Sequence, residues 1–133
     1  MLDILDVALT QKSRLGLFIS GPKVYDSLLK HPCVVDWIEG YESPGTRDVY
    51  LRTFYLFVQH TCMTPDELLT LKPQEAKQRL VSLSRSIRDR GKSSWAFNIV
   101  KSVRSFYRHH GMELKLQRTE RIRVGRKRVN IEI

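Results

Sequence analysis

The chain has 133 residues, enough for one domain that buries roughly two-thirds of the surface its unfolded form would expose. With 41% hydrophobic and 28% charged residues it is no disordered polymer, and no apolar run approaches the length of a membrane-spanning helix. Lys and Arg number 23 against 14 Asp and Glu, a formal net charge of +9 that suits an anionic partner or simple solubility, so the placement of the charges decides between them.

In chain order, "MLDILDVALTQK" opens acidic where a secretory signal opens basic, and the expected location is the cytoplasm. Residues 1–22 read as a loosely attached arm punctuated by Gly21-Pro22. A helical domain is expected over 23–116 and a basic tail or interdomain linker over 117–133. Val24, Leu28 and Leu29 suit a short helix, followed by a turn at His31-Pro32 and by apolar Val34, Val35, Trp37 and Ile38.

Ser43-Pro44 and Thr46 signal a helix start, after which Tyr50, Leu51, Phe54, Phe57 and Val58 share one face at three- and four-residue spacing. Thr64 caps a single turn through "PDEL", expected to connect rather than pack deeply. The next helix begins at Pro73, carries a stripe of Ala76, Leu80, Leu83 and Ile87, and stops at Gly91. The last has Ser93 or Ser94 as N-cap, turns Trp95, Ile99, Val103, Phe106 and Tyr107 inward, and stops at Gly111. These two helices should pack as an antiparallel or angled pair. Beyond them "MELKLQ" and "RIRVGRKRVNIEI" alternate like strands, with Gly125-Arg126 as the turn of a short β-hairpin. The fold class is all-α, four to five helices with a basic extension.

Motifs for chemistry are absent: no phosphate loop, nucleophile elbow or HExxH pair occurs. His31-Pro-Cys33 and His60-Thr-Cys62 repeat a His-x-Cys pattern, but zinc knuckles space their ligands differently, so neither metal nor cofactor is expected. Both cysteines read as buried or half-buried thiols rather than a disulfide, and His109 and His110 suit the negative end of a helix.

Basic residues, by contrast, are arranged. Asn98, Lys101, Arg104 and Arg108 fall on one surface of the last helix, with Lys92, Ser93 and Ser94 at its start, where free N–H groups favour phosphate. Thr46 and Arg47 open the other strong helix in the same manner, with Tyr50 among the candidate contacts and Arg52 further along. The tail adds Arg118, Arg121, Arg123, Arg126, Lys127 and Arg128. Double-stranded DNA is the expected partner, phosphates taken by the cations and groove edges read by Thr46, Ser94 and Asn98. Two alternatives stand beside it: a helical adaptor docking an acidic protein, and an RNA-binding module stacking bases on Tyr55 or Tyr107.

The order "HPCVVDWI", "SPGTRDVYLRTFYLFVQH", "MTPDELL", "RDRGKSS" and "VKSVRSFYRHHGMEL" resembles the N-terminal core-binding, SAM-like domain of tyrosine recombinases of the phage-integrase type, especially archaeal or viral members, over residues 32–116. The resemblance implies a SAM-like helical bundle forming half of a clamp around duplex DNA, with the helices that begin at Thr46-Arg47 and Ser93-Ser94 facing the major groove. Family members also carry a catalytic domain with a tyrosine nucleophile and a His-x-x-Arg motif. This sequence has no His-x-x-Arg. The chain alone is therefore expected to be catalytically silent and monomeric, with oligomers on DNA formed through a catalytic domain, and the resemblance implies a place at a nucleoid or in a virus-infected host cell.

Overall fold

The computed structural model describes residues 23–122, which form an all-α body. A 3₁₀ turn, Asp26–Lys30, leads into α1 (Pro32–Ile38), α2 (Pro44–Thr61), α3 (Pro65–Leu68), α4 (Pro73–Asp89) and α5 (Ser93–His109), and a second 3₁₀ turn, Arg118–Glu120, follows. The first four helices open on a proline, where the missing N–H would have had no intrahelical partner and the fixed φ already suits the helix. Ser43 caps α2, its Oγ accepting from the Thr46 N–H at 3.3 Å. Thr64 and Glu67 complete a capping box on α3: Thr64 Oγ1 accepts from the Glu67 N–H at 3.2 Å, and the Thr64 N–H donates to Glu67 Oε1 at 2.9 Å.

Helix α5 is the hub, packing along both α2 and α4. Its buried seam comprises Ala96, Ile99, Val100, Val103, Phe106 and Tyr107, while Trp95, expected inward, is only half-buried at the edge of the core. The seam runs on Ala96 because a small side chain lets a neighbouring helix approach closely. The N-cap also differs from expectation: Lys92 occupies it without a side-chain bond, and Ser93 and Ser94 are the first two helical residues. Gly91 and Gly111 do end α4 and α5, with φ of 81° and 89°, a left-handed geometry that glycine adopts without strain.

Three aromatic rings fix where α1, α2 and α5 meet. Trp37 lies edge-on to Phe54 (5.2 Å between centroids) and to Phe106 (5.4 Å), and Phe54 and Phe106 stand 4.4 Å apart. Helix α2 is buried on every side from residue 51 to residue 58, Arg52 and Thr53 included, rather than on one face. Arg52 therefore leaves the list of surface cations: its Nε donates to Asp48 Oδ2 at 2.9 Å and its guanidinium lies over the Tyr25 ring.

Two further expectations are corrected. Helix α3 packs deeply, since Leu68 is fully buried and its carbonyl accepts from the Tyr107 hydroxyl at 2.8 Å. A single turn can do this because its capping box holds it without help from length. Residues 112–117 form no strand, although their alternation is real: Leu114 and Leu116 are buried, and Glu113, Lys115 and Gln117 are exposed. No second strand pairs with them among the described residues, and Leu114 and Leu116 join the core of the helical body instead. The packed body continues through Ile122, held to α4 by Lys77 to Glu120 (3.2 Å) and by Arg85 donating to the Thr119 carbonyl (3.2 Å). The 1–22 arm and the hairpin turn at Gly125-Arg126 lie outside the described residues.

Candidate functional site

Between the start of α2, the exposed side of α5 and the segment after Gly111 there is an open cleft of about 430 Å³. Four cations line it, Lys101, Arg104, Arg108 and Arg121, and among the described residues no carboxylate does. Its aromatic residues are Tyr41, Tyr50 and Phe97, and Val100, Leu116 and Ile122 supply apolar surface. The buried Leu116 and Ile122 show how the alternating segment contributes: its inward residues close one wall of the cleft.

The walls are held in place by hydrogen bonds. Ser105 Oγ accepts from Trp37 Nε1 at 3.0 Å and also bonds the Tyr41 hydroxyl, so a buried tryptophan, a loop tyrosine and α5 share one hydroxyl. Tyr41 and Tyr50 pack edge to face at 4.8 Å, and partial burial, together with the neighbouring Tyr41 hydroxyl, raises the Tyr50 phenol above its ordinary value. Phe97 is 40% exposed, unusual for so large an apolar ring, and Lys101 Nζ stands 5.7 Å from its centroid.

Arg104 Nη2 and Arg108 Nε approach the two oxygens of Glu113 at 3.5 and 3.6 Å. These separations are well beyond the roughly 2.7–2.9 Å of a tight charge-assisted hydrogen bond, so Glu113 is a loose counterion. Arg104 Nε is buried and has no hydrogen-bond partner among the described residues.

Of the residues chosen from sequence, the cleft brings together Tyr50, Lys101, Arg104, Arg108 and, from the tail, Arg121. Lys92 and Ser94 are exposed, and Thr46, Ser93 and Asn98 half-buried, outside the cleft lining. Arg47 is tied down, its Nε donating to the Tyr41 carbonyl and its Nη2 reaching the Glu39 carbonyl at 3.5 Å. Arg126, Lys127 and Arg128 lie outside the described residues. Sequence reasoning passed over Tyr41, Phe97, Ser105 and Glu113. Only Phe97 carried a signal, an aromatic ring four residues before Lys101 and off the buried seam.

On another face, His31 Nδ1 and Cys33 Sγ both meet the Asp66 carboxylate, at 3.2 and 3.3 Å. Burial, then the bond to Asp66, pushes the Cys33 thiol up to about 11, and the bonds from Cys33 and His31 hold Asp66 below the ordinary carboxylate range. The second His-x-Cys pair does not join them: Cys62 Sγ donates to the Gln59 carbonyl at 3.6 Å, and among the described residues no three potential ligands cluster as a metal site. Cys33 and Cys62 are both free thiols, Cys33 half-buried as expected, whereas Cys62 is exposed because it caps the C-terminal end of α2. His109 and His110 do more than face a helix dipole, since His109 Nε2 is 2.7 Å from Asp36 Oδ2 and His110 Nε2 is 2.9 Å from the Cys33 carbonyl, tying the end of α5 to α1.

No helix among the described residues is long and apolar enough to cross a membrane. No family model, curated protein or solved structure matches the chain.

Proposed function

We propose that the chain is a DNA-binding module that grips duplex DNA through the basic side of α5, in the manner of a tyrosine recombinase core-binding domain. The observation that carries this is the convergence of Lys101, Arg104, Arg108 and Arg121 on one open surface whose lining, among the described residues, has no carboxylate. Each phosphate neutralised there would release condensed counterions, the main source of affinity for a polyphosphate. Exposed Lys92 and Ser94 extend the same helix toward the backbone, with Ser94, Asn98 and Thr46 as groove readers and Arg47 as a fixed positive charge. No catalytic step is assigned to the chain, and as an isolated module it acts as a monomer.

One observation favours a second reading, the adaptor docking an acidic partner: Arg104 and Arg108 already accept a carboxylate, that of Glu113. Stacking of RNA bases on Tyr55 or Tyr107 loses its basis, since the rings are 9% and 0% exposed. An NMR titration separates the two remaining readings. Duplex DNA should shift the amides of Lys101, Arg104 and Arg108 and be displaced by added salt. Saturation of those amides by an acidic peptide, with no response to duplex, would favour the adaptor and contradict DNA binding.

A further inference from the structure

We propose that the cleft receives one unpaired nucleotide of a DNA strand, its base against Phe97 and its phosphate between Arg104 and Arg108. The inference rests on the DNA-binding reading above and deepens it. Phosphate neutralisation along a duplex needs cations on an open surface, but it makes no use of a ring-lined hollow with an apolar floor. About 430 Å³ falls within the roughly 300–1,000 Å³ of sites that hold small organic ligands. A paired base is shielded by its stack and its partner and cannot enter such a hollow, whereas an unpaired base offers two open faces.

The lining matches both halves of a nucleotide. Phe97, 40% exposed in the cationic cleft, is the one Phe, Tyr or Trp ring so exposed among the described residues, and it offers a flat surface on which a base can stack. Tyr41, Tyr50, Val100 and Leu116 complete the apolar surface around it. For the phosphate, the Glu113 carboxylate already marks an anion position reached by both Arg104 and Arg108, at separations long enough for a stronger anion to displace it. The unpaired nucleotide can come from a strand end or from an internal position pushed out of the stack.

Fluorescence anisotropy with the full chain tests this using three probes of one sequence: a blunt duplex, the same duplex with a one-nucleotide overhang, and the same duplex with a single-nucleotide bulge. At least one unpaired probe should bind about tenfold more tightly than the blunt duplex, the preferred probe identifying the source. In Phe97→Ala, whose melting temperature should stay close to that of the wild type because the ring is exposed, the ratio should fall to near one. Replacing the unpaired nucleotide by an abasic one should have the same effect on the wild type. Equal affinity for all three probes, or a preference that survives Phe97→Ala, would overturn the inference while leaving duplex binding in place. Binding to none of them would overturn both.

Discussion

Thr53 Oγ1 donates to Ser102 Oγ at 2.9 Å across the buried crossing of α2 and α5, and Ser102 in turn donates to the Ile99 carbonyl at 3.1 Å. Both residues are fully buried. Thr53 lies three residues beyond Tyr50, and Ser102 directly follows Lys101, so this bond fixes the register of the two helices that line the cleft. Truncating either hydroxyl should destabilise the fold by about 1–2 kcal/mol. The double change Thr53→Val with Ser102→Ala should cost less than the two single changes added together, because each single change already removes the one bond the two residues share. Urea unfolding of the four proteins checks this, and strict additivity would mean the bond carries no coupling.

Much of the helical framework could be read from residues whose effect is local. The prolines that open four helices, the Thr64–Glu67 capping box and the left-handed Gly91 and Gly111 all act within a few residues of themselves. What sequence could not supply was set by distant partners. Arg52 looked like a surface cation, but Asp48 beside it and the Tyr25 ring from another element take it inside. Leu68 became core because Tyr107, 39 residues away, reaches its carbonyl. The candidate site divides in the same way: Lys101, Arg104 and Arg108 follow from helical spacing, whereas Tyr41 sits in a loop and joins the cleft through contacts with Ser105 and Tyr50.

Alkaline pH should weaken the fold. Burial and the Asp48 carboxylate raise the Tyr25 phenol, burial raises the Tyr107 phenol, and burial and Asp66 push the Cys33 thiol up to about 11 from an ordinary 9.0. Each group is held neutral in the folded chain, so its contribution is fully present below its unfolded value and is lost as pH rises toward the folded one. Urea midpoints should hold steady up to about pH 9 and then decline toward pH 11, with a smaller decline in Tyr25→Phe. Alkylation should label the exposed Cys62 well before Cys33. A flat stability profile through that window would contradict the assignment.

Glu113 should act as an internal competitor for DNA. Its carboxylate is the loose counterion of Arg104 and Arg108, so Glu113→Gln frees both and removes one repulsive charge. Exposed ion pairs contribute little, so affinity for duplex DNA should rise only about two- to fivefold. Anisotropy at fixed salt reads the change, and weaker binding by Glu113→Gln would show that the carboxylate supports the interface instead of masking it.

The dependence of DNA affinity on salt tests the central claim most directly, comparing the wild type with Lys101→Glu combined with Arg104→Glu. Each phosphate neutralised on a duplex contributes about −0.9 to the slope of log K against log salt concentration. Contacts from the four lining cations give an expected wild-type slope between about −3 and −4, and the double variant should bind far more weakly with a slope shallower by about two units. Equal affinities and equal slopes for the two proteins would contradict the account.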